Sequence, residues 1–232
     1  PTQRPREEVE GFVAARANTV ADENATAAGL TFSATDNLVF RVEGRRRDAD
    51  DYEVNGFEAL TVPGTYAESD NGSIGASWIG DQGFFGMAYS YRRDNYGLPG
   101  HNHEFEACGV SRGRLDCPDE EHDHEHGDEV TPFVDLARRR VDARADYRNP
   151  MDGITAIRFR GNHTEYRHHE IEEGEIGTTF RNRGGDARLE VEHAPIGNWR
   201  GVVGMQYTDF DFSSLGGEAF VPKTESRAMA LF

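Results

Sequence analysis

At 232 residues, with a net charge of −17 and a pI near 4.9, the chain lacks the basic face that a nucleic-acid partner requires. Mean hydropathy is −0.73 and no run approaches the ~20 apolar residues of a membrane helix. That excludes a helical membrane protein and leaves a barrel open, because barrel strands alternate and carry only a weak hydropathy signal.

The first residues show no charged-then-apolar leader. Glu8 to Thr19 reads as a strand of weak pattern. Thr26 to Ala34 follows, with Ala28, Leu30, Phe32 and Ala34 on one face and Gly29, Thr31 and Ser33 on the other. Beyond Thr35-Asp36-Asn37, Leu38, Phe40 and Val42 oppose Arg41, Glu43 and Arg45. A longer connection from Asp48 to Asp70 contains the turn signal Pro63-Gly64. Ile74, Ala76 and Trp78 then alternate with Ser73, Gly75 and Ser77, and after Gly80-Asp81-Gln82-Gly83 a further strand aligns Phe85, Met87, Tyr89 and Tyr91. The clearest alternation sets Val141, Ala143, Ala145 and Tyr147 against Arg138, Arg140, Arg144 and Asp146. Asn149 to Gly153 turns the chain into a strand with Ile157 and Phe159 opposite Arg158 and Arg160, running on to Glu170. Ala187, Leu189, Val191 and His193 oppose Arg188, Glu190 and Glu192. After the Ala194-Pro195-Ile196-Gly197-Asn198 turn, Trp199, Val203, Met205 and Tyr207 oppose Arg200, Gln206 and Thr208, and a last strand starts near Lys223.

The connections are short at 35–37, 80–83, 149–153 and 194–198 and long at 48–70, 95–134 and 213–222. Short turns at one end, long loops at the other and strands of 12 or more residues favour an outer-membrane barrel over a soluble sandwich. The expected fold is therefore all-β, an antiparallel transmembrane barrel with the apolar face toward lipid. Val141, Ala143, Ala145, Ile157, Phe159, Leu189, Val191 and Val203 are expected outside, and Arg138, Arg140, Arg144, Arg158, Arg188 and Glu190 in the lumen.

The stretch from Asn95 to Thr131 holds both cysteines and five of the nine histidines. His101 and His103 precede Cys108 and Cys117, and His122, His124 and His126 follow them among carboxylates. Neutral imidazoles interleaved with oxygen donors suit a divalent ion such as Zn²⁺. An acidic solvated loop is the plainer alternative. Two cysteines close together in a polar loop read as a disulfide of an oxidising compartment, with two free thiols as the other reading.

The segment Arg92-Arg93-Asp94-Asn95-Tyr96-Gly97-Leu98-Pro99-Gly100-His101-Asn102-His103-Glu104 resembles the corresponding part of zinc-uptake TonB-dependent outer-membrane receptors of the ZnuD type. The paired cysteines with the His/Asp tract, Gly72-Ser73-Ile74-Gly75-Ala76-Ser77-Trp78, Tyr166-Arg167-His168 and His193-Ala194-Pro195-Ile196-Gly197 are similar too. The resemblance implies a 22-stranded barrel closed by an N-terminal plug, of which residues 1–232 would supply about the first ten strands as one domain. It further implies a monomer in the outer membrane of a Gram-negative bacterium, the His-rich loop 95–134 outside, with TonB coupling through the missing plug. Carried onto this sequence, the zinc ligands are His101, His103, Glu104, His122, Asp123, His124 and His126, with Glu170 as a further candidate at the barrel mouth. Cys108 and Cys117 carry over as a disulfide, across a span shorter than the family pattern.

Active uptake of zinc is thus the expected function, with another metal or haem as alternative cargo and a surface zinc store without transport as the binding-only alternative. A zinc hydrolase fits less well. Its metal needs fixed ligands, an open position and a general base on a rigid scaffold, and there is no His-Glu-x-x-His segment.

Overall fold

The computed structural model describes residues 1–54, 61–99, 109–112, 114–116, 131–217, 219 and 221–232. They form twelve strands: β1 (Val9–Asn18), β2 (Glu23–Ser33), β3 (Leu38–Ala49), β4 (Ala67–Gly80), β5 (Gly83–Gly97), β6 (Gly109–Ser111), β7 (Arg114–Asp116), β8 (Phe133–Met151), β9 (Ile154–Glu172), β10 (Glu175–His193), β11 (Val202–Gly216) and β12 (Thr224–Leu231). No α-helix occurs among the described residues. Ten strands make one antiparallel sheet in the order β1-β2-β3-β4-β5-β8-β9-β10-β11-β12, each paired with its sequence neighbours. The sheet is open, with β1 and β12 as its edges. The small β6–β7 hairpin lies in the chain between β5 and β8 and forms a sheet of its own.

Strand register gathers the turn-side rows of apolar residues on one face. Trp78, Phe85, Ala145, Phe159, Leu189, Met205 and Leu231 stand in one row across neighbouring strands. Ala76, Met87, Ala143, Gly161, Ala187, Tyr207 and Met229 make the next. Phe32 and Phe40, directly opposite on β2 and β3, stack with ring centroids 5.4 Å apart. The other face carries charge. Arg140 bonds Asp142 at 2.8 Å, Arg158 reaches Glu192 at 2.8 Å, Arg188 reaches Glu190 at 2.6 Å, and Asn162 donates to Asp186. The expected division of Val141, Ala143, Ala145, Ile157, Phe159, Leu189, Val191 and Val203 from Arg138, Arg140, Arg144, Arg158, Arg188 and Glu190 is the one the register makes.

Burial runs opposite to polarity. The buried side chains other than glycine, namely Glu23, Ala25, Val39, Ala49, Ser77, Asp94, Val134, Ala156, Thr178 and Ser214, all belong to the charged face. The apolar face is open: Ile74 is 53% exposed, Trp78 50%, Val203 67% and Leu231 73%. Among the described residues no second layer of strands packs on either face, and each strand contacts its sheet neighbours. One face of a single sheet becomes shielded when the sheet curves toward it and crowds its side chains together. The N-terminal segment lies against this charged side, where Ser77 donates to the carbonyl of Pro1 and Arg4 to that of Ile79 at 2.9 Å.

Several strands extend further than alternation predicts, always toward the same end. β8, β9 and β10 each span 19 residues, and β10 begins at Glu175, well before the expected Ala187. Beyond Val141 and Gly161 the formerly apolar face turns charged (Arg139, Glu165, Arg167, Arg183), so both faces are polar and the period-2 signal disappears. β9 and β10 are joined by Glu173 and Gly174 alone, and 19–22 joins β1 to β2, so connections at the long-loop end are not all long. Those that are long run over 50–66 and 98–132. Trp199, expected in a strand, instead bridges to Ile196 within the turn, and β11 starts at Val202.

Glu173 and Gly174 have φ of 51° and 82°, the two left-handed positions of a primed hairpin turn. A Cβ at Gly174 would meet nothing within 4 Å, so an alanine there pays only the backbone strain. Gly174→Ala should destabilise the sheet by about 1 kcal/mol, and Glu173→Asn should stabilise it by a few tenths. Denaturant titration of the refolded chain measures both.

Candidate functional site at the loop end of the charged face

Two rows of the charged face converge where the long connections emerge. One runs Ala67, Tyr96, Val134, Glu170, Thr178 from β4 to β10. The next runs Ser69, Asp94, Leu136, His168, Phe180, Ser214 from β4 to β11. These positions lie beyond the apolar stretch of their strands, which on β9 ends at Gly161. Two of them are fully shielded, with Thr178 1% and Val134 2% exposed.

His168 is held on three sides. Its Nδ1 shares a hydrogen bond of 2.6 Å with the Tyr166 hydroxyl, its ring stacks on Phe180 at 4.4 Å between centroids, and its Nε2 lies 3.7 Å from Glu170 Oε1. Burial, and then the neighbouring His169, holds its pKa below the ordinary histidine value, so the ring is neutral at pH 7. In the tautomer that donates from Nδ1 to Tyr166, Nε2 presents a lone pair beside the Glu170 carboxylate. Ligands at zinc-bond lengths on a tetrahedral ion lie about 3.3 Å apart, close to this spacing, and a ligand histidine ordinarily donates its other N–H to an oriented partner. His169 projects from the opposite face, where its Nδ1 meets Thr179 Oγ1 at 2.8 Å.

On the β3–β5 side, Thr65 and Tyr66 border an open cavity of about 790 Å³ whose lining includes Arg47, Ser69, Arg92, Asp94 and Tyr96. The Asp51 carboxylate fixes both residues by accepting from the backbone N–H of Thr65 at 2.7 Å and of Tyr66 at 2.9 Å. Burial, followed by the charges of Glu68 and Asp51, raises the Tyr66 phenol above its usual pKa. Asp94 accepts from Ser69 Oγ and from Arg92 Nε, both at 2.6 Å. The cavity therefore borders an oriented carboxylate, phenols and guanidinium groups.

Of the residues that sequence reading assigns to metal, Glu170 falls in this site. His101, His103, Glu104, His122, Asp123, His124 and His126 lie outside the described residues, as do Cys108 and Cys117. Within the cysteine span, Gly109 pairs with Asp116 in the β6–β7 hairpin, so the residues adjoining the two cysteines face each other. Among the described residues, no three His, Cys, Asp or Glu side chains gather into a metal shell. His168 and Glu170 are two donors. Sequence reading named His168 within the motif Tyr166-Arg167-His168 and gave it no ligand role. Parity could have separated it from His169, because 168 and 170 share a face and 169 does not. No protein-family model matches the chain.

Asp94 is 6% exposed, and its removal strands a serine hydroxyl and an arginine inside the shielded face. Asp94→Ala should cost about 1–3 kcal/mol, whereas Asp94→Asn, which keeps an acceptor, should cost less. Unfolding titrations of the two variants compare them.

Proposed function

We propose that the chain is part of the barrel of a TonB-dependent outer-membrane receptor that takes up zinc. The observation that carries the barrel reading is the inverted sheet: an exposed apolar face spanning all ten strands, with every buried non-glycine side chain of the described residues on the charged face. In water such a sheet would collapse onto its apolar side; in a bilayer that side meets acyl chains and the charged side lines a lumen. The boundary between apolar and charged residues also steps along the sheet. It lies beyond Tyr91 on β5, after Val141 on β8 and after Gly161 on β9, each nearer the short-turn end in register. Strands tilted to the membrane normal require such a drift. The unpaired edges of β1 and β12 cannot face lipid, so further strands would close the barrel between them.

The zinc reading rests on the resemblance and on the donors at the mouth. Loop residues His101, His103, His122, His124 and His126, among carboxylates such as Glu104 and Asp123, would capture Zn²⁺. Ligands that exchange one at a time release an ion faster than a rigid cage does. His168 and Glu170, fixed on β9 below the loop, would then receive it. A Cys108–Cys117 disulfide would tie the two histidine clusters together. Transport would be driven by the TonB complex through a plug outside this chain.

Two measurements test the proposal. Val141→Arg, on the apolar face, should destabilise the chain folded into lipid vesicles by about 2–4 kcal/mol, against less than about 1 kcal/mol for Thr164→Arg on the charged face. Equal costs would remove the barrel reading. For zinc, calorimetry on the full chain at pH 7.5 and 5.5 should give affinity falling by up to about tenfold for each histidine ligand, because protons compete for imidazole, whose ordinary pKa is near 6.5. Replacing the five loop histidines by Ala should abolish most of the binding. Affinity unchanged by either treatment would leave the loop as a solvated acidic surface.

A further inference from the structure

Just beyond the apolar belt, on the outward side, five arginines cluster on four neighbouring strands: Arg93 of β5, Arg139 of β8, Arg167 of β9, and Arg181 and Arg183 of β10. All are exposed. Arg93 is paired with Asp135 at 3.3 Å and Arg183 with Glu165 at 3.5 Å. Arg139, Arg167 and Arg181 have no carboxylate partner among the described residues. Arg167 and Arg181 stand directly opposite each other in the ladder, an arrangement that repels. In a chain of net charge −17 this patch is a local reversal of sign, and it adjoins the belt formed by Val141, Phe159 and Leu189.

Like charges held opposite each other are tolerated when a counter-charge lies between them. Guanidinium groups match phosphate oxygens bidentately, and a cluster adjoining an apolar belt lies at headgroup depth. We infer that Arg139, Arg167 and Arg181 form a docking site for phosphate-bearing lipid headgroups in the leaflet on the long-loop side. The inference rests on the bilayer reading above. The phosphates would bridge the three guanidinium groups while the acyl chains lie along the belt beneath them. Asp135 and Glu165 are already engaged by Arg93 and Arg183, and Asp70 and Asp211 stand directly opposite those same two arginines, which leaves the three other cations available.

The test folds the full chain into phosphatidylcholine vesicles containing a minor share of diphosphorylated lipid A or its dephosphorylated form. Native mass spectrometry then reads the lipid retained after detergent extraction. The wild-type chain should retain the phosphorylated lipid about tenfold or more over the dephosphorylated one. Arg139→Gln/Arg167→Gln/Arg181→Gln should bring that preference to within about twofold, while Arg138→Gln/Arg144→Gln/Arg160→Gln on the charged face should leave it intact. Arg167→Gln alone secures the result against misfolding. It removes a like-charge contact, so it should stabilise the chain in phosphatidylcholine alone and still weaken retention. Equal retention of the two lipids, preference unchanged in the outward triple variant, or displacement of the lipid by inorganic phosphate alone would overturn the inference. A chain that inserts without lipid preference sinks this inference only; a chain that does not insert sinks the barrel reading with it.

Discussion

Every backbone partnership in the large sheet is lateral, from one strand to the next, and among the described residues the side-chain bonds between strands, such as Arg158 to Glu192, are lateral too. A helical bundle or sandwich places a core between layers, and the core fixes which face of each element turns inward. Here the ladder alone does so. Because side chains alternate with a period of two, a slip of one residue at any pair would exchange the two faces of everything beyond it. The uninterrupted pairing of β8 with β5 and of β10 with β11 is therefore what keeps Leu189 and Arg188 on opposite sides through the whole array. Irregularities are confined to strand ends, between Arg148 and Met151, between Ile176 and Thr178 and at His193, where a slip does not propagate.

Alternation made the turn-side half of the sheet readable from sequence, because only there do the faces differ in polarity. Val141 to Tyr147 and Leu189 to Val191 could be assigned on inspection, and the register agrees. The loop-side half was unreadable for the complementary reason. Arg138-Arg139-Arg140 is polar on both sides, and the glycine pair Gly184-Gly185 offers no side chain to assign. The Glu173–Gly174 turn was hidden in the same way, its glycine embedded in a run of glutamates that already looked like loop. Trp199 was misplaced because its parity fits β11, although Gly197 and Gly201 flank it and Gly197 takes a left-handed φ of 63°. In each case the missing information is the polarity of the surroundings, which composition does not carry.

The candidate site divides similarly. Glu170 was visible as a carboxylate at a strand end beside two histidines. The side chains that shape its surroundings, Tyr96 and Asp94, come from β5. They reach it through the β5–β8 pairing across the long 98–132 connection. Their contributions are also non-local in kind. Burial of His168 and Tyr66 depends on side chains brought from distant parts of the chain, and a sequence window has no access to those.

One strand thus serves three environments along its length. On β9, Ile157 and Phe159 stand on the apolar face, Arg158 and Arg160 on the charged face, and His168 and His169 at the loop end, on opposite faces. On the proposed reading this layering decides where selectivity among metals can arise. Exchangeable imidazoles of a loop follow the general affinity order, in which Cu²⁺ outcompetes Zn²⁺, and so discriminate little. A donor pair whose ring is locked by Tyr166 and Phe180 on a rigid strand restricts geometry instead. Zn²⁺ accepts a tetrahedral shell without electronic penalty, whereas Cu²⁺ prefers a tetragonal one. Capture would then belong to the loop and discrimination to the ladder, where the register that separates the two faces also fixes the spacing of His168 and Glu170.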